Sequence, residues 1–157
     1  MKMMRLERVQ LLDSSMDTVW EFMSHPANLQ LITPPDLGFT LASPLPEKMH
    51  AGTIATYTVT PFGGLRYRWI TEITHVIPQV LFVDEQRFGP YRFWHHQHHF
   101  QETDCGIEMR DIVHYMLPFD PLSRLLSGVV VRRLDQIFDH RRDALQKFFG
   151  LGLTPQT

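Results

Sequence analysis

Apolar and polar positions change rhythm along this chain and divide it into three parts. Residues 4–12 read as a short strand closed by Asp13-Ser14-Ser15. Ser14, with Asp17 three residues on, has the form of an acidic capping box and predicts a helix. Its apolar side carries Val19, Trp20, Phe22 and Met23, and it stops before Pro26. Residues 27–32 predict one or two further helical turns, ended by Thr33-Pro34-Pro35. The signals of strands then follow, at 38–43, 53–60, 65–76, 80–87, 92–102 and 107–116. Short strands joined by Gly and Pro turns predict an antiparallel meander. After Asp120-Pro121 the period changes again. Leu126, Val130, Leu134, Ile137, Leu145 and Phe148 mark the stripe of one long amphipathic helix, with a bend expected near Gly128 and stop signals at Gly150 and Gly152.

A curved antiparallel sheet has to bury one face, and the long helix is the element large enough to cover it. The expected class is therefore α+β, with about six or seven strands wrapped around a C-terminal helix and two short helices after the first strand. Residues 1–150 are expected to form one domain and 151–157 a tail.

Composition narrows the function classes. The 157 residues are 43% apolar and carry a net charge of -2, with no long run of Lys or Arg. Phosphate-driven nucleic-acid binding therefore has little support. Nine histidines make the net charge sensitive to pH. Cys105 is the single cysteine, which removes disulfide and CxxC chemistry. Arg5, Glu7 and Arg8 interrupt any signal-peptide core, and no stretch of about 20 apolar residues predicts a membrane span. A cytoplasmic location is expected.

The stretch from Gly89-Pro90 to Phe100 carries the chemistry. Trp94, His96, His98 and Phe100 are spaced two apart, so they share one face of a strand. His95, Gln97, His99 and Gln101 form the other face, which is wholly polar and expected in solvent. On the preceding strand Phe82, Asp84 and Gln86 share a face. On the following one Asp111 and Tyr115 do so, and Trp69 lies on a strand before both. Asp84 and Asp111 are thus expected to flank the histidines. Arg141 falls inside the apolar stripe of the long helix and needs an acid: Asp111, Asp84 or a ligand carboxylate. The same residues would also serve as a satisfied polar network that fixes strand register. His96-x-His98 with a neighbouring carboxylate has the composition of a three-ligand zinc or iron site, though the spacing alone does not select one. Cys105 lies in a turn without a base, and GxSxG, P-loop and GxGxxG motifs are absent.

The order of elements resembles the helix-grip fold of the SRPBCC superfamily, which includes START lipid-transfer domains and polyketide cyclases. The likeness is carried by Thr33-Pro34-Pro35, by Phe82-Val83-Asp84-Glu85-Gln86 with Gly89-Pro90, and by Trp94-x-His96-x-His98-x-Phe100. It continues at Asp111-x-Val113-x-Tyr115-x-x-Pro118 and at Ile137-Phe138 with Arg141. It implies a cavity between sheet and helix, and neither metal nor cofactor. The leading expectation is a binding protein for a hydrophobic lipid-, quinone- or polyketide-like molecule. Its ligand would meet Trp69, Phe82, Asp84, Gln86, Trp94, His96, His98, Phe100, Asp111, Tyr115 and Arg141. One alternative is a cofactor-independent cyclase or dehydratase with His96, His98 and Asp111 as acid–base candidates. Another is an accessory partner of a dehydrogenase- or epimerase-like protein.

Overall fold

A computed structural model describes residues 2–42, 44–60, 64–118 and 123–150, without the side chains of 123–126. The expected tail at 151–157, the helix-start signal Asp120-Pro121 and the stop signal Gly152 lie outside the described residues. Strand β1 is Met4–Leu12 and helix α1 is Met16–Met23. The cap of α1 is Ser15, not Ser14. The Thr18 N–H donates to Ser15 Oγ at 3.3 Å, while the Ser14 N–H is spent on the Leu12 carbonyl in the turn out of β1. Two 3-10 segments follow, Pro26–Ile32 and Pro35–Leu37, the second closed by Gly38 at φ +56°. This left-handed turn confines the strand expected at 38–43 to two residues, β2 at Thr40–Leu41.

The remaining strands are β3 Ile54–Val59, β4 Tyr67–Ile77, β5 Leu81–Phe88, β6 Phe93–Thr103 and β7 Gly106–Met116. Helix α2 spans Ser123–Phe149. Among the described residues the strands form one antiparallel seven-stranded sheet in the order β1-β7-β6-β5-β4-β3-β2. The meander from β2 to β7 matches the expectation, and β1 closes the sheet by pairing beside β7, from Met4↔Tyr115 to Leu12↔Ile107. Register shifts in the β4–β5 pair, at Ile70/Thr71 and Ile73/His75, add twist where the sheet curls around α2. The β6–β7 hairpin turns at Gly106, whose φ is +121°. A Cβ there would collide with the Leu12 carbonyl oxygen, so only glycine lets the hairpin sit against the end of β1.

Helix α2 buries Val130, Leu134, Phe138, Arg141, Leu145 and Phe149, the stripe of a helix lying on the sheet. The apolar residues gather in two clusters. One holds Leu12, Val19, Phe82, Phe100, Met109 and Leu145; the other holds Leu6, Trp94, Val113, Leu134 and Phe138. Along β6, β7 and α2, the residues between these clusters are polar: His96 and His98, Asp111, and Arg141. The fold therefore places one buried polar layer between two apolar ones.

Candidate functional site

The alternation of β6 holds in the structure. Trp94, His96, His98 and Phe100 are all buried on the concave face. Neighbouring strands supply the carboxylates through register: His96 pairs with Asp84 on β5, and His98 pairs with Asp111 on β7. Each carboxylate reaches both rings. Asp111 Oδ1 lies 2.9 Å from His96 Nε2 and 2.9 Å from His98 Nδ1. Asp84 Oδ2 lies 3.3 Å from His96 Nδ1 and 2.8 Å from His98 Nε2. The Trp94 indole donates to Asp84 Oδ1 at 3.3 Å, which turns the other oxygen toward the histidines. Arg141 crosses from α2, with Nη2 3.2 Å from His98 Nδ1 and 3.7 Å from Asp111 Oδ1.

Aromatic rings fix these side chains in place. Phe82 stacks on His98 with centroids 4.0 Å apart, and Phe138 meets His96 edge-on at 5.6 Å. Charge settles the protonation. Burial alone would raise the Asp84 carboxyl, yet His96 and then His98 hold it far below the usual carboxylate range. Burial acts likewise on Asp111 and is outweighed by Arg141 and the two histidines, so it too stays ionised. For His96, burial pushes the pKa down, but Asp84 and Asp111 together push it above the ordinary value. Burial and the charge on His96 push His98 down. With a proton on both nitrogens of His96 and on one of His98, the two carboxylates, Arg141 and His96 would sum to zero.

One side of this layer faces a cavity of about 150 Å³ between the sheet, α2 and the first 3-10 segment. Asp84, His96, His98 and Arg141 line its polar end; Trp69, Phe82, Trp94, Leu134, Ile137 and Phe138 are among its apolar walls. Four expected ligand contacts do not line it. Asp111 sits behind the histidines. Phe100 packs into the core against Trp20 at 5.5 Å, and Tyr115 lies beneath Trp94 at 6.3 Å. Gln86 instead grips a cavity residue: its Nε2 donates to the Tyr91 carbonyl at 2.6 Å and its Oε1 accepts the Tyr91 N–H at 3.2 Å. Gly89 makes room for this clamp, since a Cβ there would collide with the Gln86 amide. Gln86→Ala is expected to cost about 1–2 kcal/mol for the two lost bonds and to free the Tyr91 ring. Urea unfolding and the Tyr91 ring resonances check both outcomes.

Tyr57, Tyr91 and Arg133 are among the residues that line the cavity without having been expected to. Tyr57 alternates with Ala55 and Val59 on β3, which is a usable signal. Arg133 lies three residues after Val130 and four before Ile137 on α2, so the helical period places it at the edge of the apolar stripe; it donates to Asp36 at 2.9 Å. Burial, with the Asp84 charge, pushes the Tyr57 phenol well above its ordinary value, so it stays neutral. On the convex face His95 and His99 are half-buried rather than solvated. Glu85, His95, Gln97 and His99 form a ladder there, with contacts of 3.2, 3.0 and 2.9 Å.

The architecture is shared with solved structures at low identity. TTHA0849 from Thermus thermophilus is 16% identical with a TM-score of 0.66, covering 93% of this chain and 95% of that one. Ginseng major latex-like protein 151 from Panax ginseng is 13% identical with a TM-score of 0.65, covering 95% and 99%. Protein Ms6760 from Mycobacterium smegmatis is 18% identical with a TM-score of 0.63, covering 92% of each. No family model matches the chain, and no curated protein matches it in sequence. At these identities the likeness carries the helix-grip fold and no activity.

Proposed function

We propose that the chain binds a compact, ring-bearing small molecule that carries an acceptor oxygen. The observation behind this reading is the cavity together with its unmet donors. Among the described residues, Trp69 Nε1, Arg133 Nε and Arg141 Nε are buried without a hydrogen-bond partner, and all three side chains line the cavity. Buried donors without partners are costly, and a carbonyl or carboxylate oxygen would satisfy them. Apolar walls with a few convergent polar groups are the usual make-up of a ligand site. The volume favours a small occupant: an engineered cavity of about 150 Å³ in another protein holds benzene. A single substituted ring suits this space better than a long lipid.

The cyclase or dehydratase alternative needs a ring nitrogen free to take a substrate proton. Both nitrogens of His96 and of His98 are already engaged by carboxylates. Binding is therefore the reading the geometry favours.

The test follows the Trp69 indole N–H resonance during titration with benzoate, acetophenone and toluene. Benzoate or acetophenone should saturate and move that resonance downfield as it gains an acceptor. Toluene should bind at least about tenfold more weakly, the difference that one unmet polar partner makes. Ile137→Trp, which fills the cavity from α2, should abolish the shift while the fold is kept. Equal binding of toluene, or no saturable shift with any of the three, would remove the reading.

A further inference from the structure

Asp84, His96 and His98 do more than terminate the cavity. We propose that these three side chains bind one divalent transition-metal ion, of the zinc or iron(II) class, with its open positions facing the cavity. The inference goes beyond ligand binding and stands on the geometry of the triad alone.

Each residue offers one ligand atom, and the three atoms lie within 4.8 Å of one another. Asp84 Oδ2 is 3.3 Å from His96 Nδ1 and 2.8 Å from His98 Nε2. Ligands held at about 2.0–2.1 Å from a tetrahedral ion are about 3.3–3.4 Å apart. Shifts of a few tenths of an ångström at Asp84, and a closer approach of the two rings, would make the triad a chelate. Two imidazoles and one carboxylate with open positions are a donor set suited to these metals.

The outer contacts fit as well. A metal-bound imidazole normally donates its far N–H to a carboxylate, which fixes its tautomer and orientation. Here the far nitrogens of both rings, His96 Nε2 and His98 Nδ1, reach the same buried oxygen of Asp111 at 2.9 Å each. Arg141 Nη2 lies 3.7 Å from that oxygen and 3.2 Å from His98 Nδ1; with the ring N–H given to Asp111, the guanidinium acts on the carboxylate as a charge and not on the ring as a donor. Asp111 stands behind the rings, while the triad lines the cavity, so an ion at the triad would face the space where a ligand sits.

The experiment adds Co²⁺, then Zn²⁺, to the chelator-treated full chain. One equivalent of Co²⁺ should give the intense visible bands of a four- or five-coordinate ion, and Zn²⁺ should displace it. In the unmodified protein Zn²⁺ should shift the ring nitrogens of His96 and His98 and leave those of His95 and His99 in place. His98→Gln should abolish binding, Asp111→Asn should weaken it by about 10–100-fold, and the pair His95→Gln with His99→Gln should keep it. If His98→Gln fails to fold, the ring-nitrogen shifts in the unmodified chain decide. No binding at millimolar Co²⁺, or shifts confined to the convex-face histidines, would overturn the site without touching the small-molecule reading.

Discussion

Asp111→Ala is expected to destabilise the folded protein by about 3–5 kcal/mol, the range for removing one partner of a buried ion pair. Asp111 is 2% exposed and is the shared acceptor of His96 and His98. Without it, His96 is free to lose its proton, but Arg141 is not, because a guanidinium stays charged in proteins. Arg141 would keep only its contact with His98 and the Phe138 ring, 5.9 Å from its central carbon. The cost is thus mainly that of a buried cation without an acid. Urea unfolding reads it as a fall in midpoint at constant slope. Removing both charges, as Asp111→Leu with Arg141→Met, should cost less than the sum of the single changes by about 1–3 kcal/mol, since Asp84 and His96 remain balanced. A loss below about 1 kcal/mol for Asp111→Ala would show that water solvates Arg141. The route would be the second cavity, about 100 Å³, lined by Gln10, Asp111 and Arg141.

Leu145→Ala is expected to cost about 2–5 kcal/mol. Leu145 is 0% exposed and belongs to the cluster that joins α1, the sheet and the C-terminal half of α2. Rigid neighbours on three elements leave little scope for collapse into the void, which places the change toward the upper part of that range. For a chain of this size each kcal/mol lowers the melting temperature by about 2–4 °C. Val129→Ala, on the exposed side of the same helix, should stay within about 0.5 kcal/mol. A similar small effect at Leu145 would mean that this end of α2 does not hold the sheet.

What is legible in the sequence follows strict periods. Period two on β6 places His96 and His98 inward, and alternation on β5 and β7 finds Asp84 and Asp111. The helical period puts Arg141 on the buried side of α2. It fails at the end of that helix, where the stripe predicts Phe148 inward. Phe148 is 51% exposed and Phe149 is buried, a one-residue rotation that the stop at Gly150 does not reveal. Cavity lining is least legible, because it depends on distances between elements. Gln86, Phe100 and Tyr115 share a face with true lining residues yet lie beyond the edges of the space. Arg133 reaches it from the edge of the helical stripe, three residues after Val130 and four before Ile137, a position that the period marks but whose charge suggests solvent. The convex ladder of His95, Gln97 and His99 departs from expectation for a similar reason: polar residues on an outer face are expected to meet water, and these meet each other.

The pairing of β1 with β7 has a consequence for how the chain is made. Leu12 sits opposite Ile107 and Met4 opposite Tyr115, so the first strand has no partner until the chain has grown past Gly106. At about 5–20 residues per second that wait lasts about 5–20 s on a ribosome. Contacts this distant in sequence also slow folding itself. A waiting strand that was wholly apolar would invite aggregation. In β1, Arg5, Glu7, Arg8 and Gln10 interrupt the apolar positions; Arg5 pairs with Glu7 within the strand, and two of the charges find further partners only later, Glu7 at Arg110 of β7 and Arg8 at Asp135 of α2. The same charges that dock the strand in the finished protein keep it soluble while it waits, and a nascent chain halted before residue 106 has nowhere to put it.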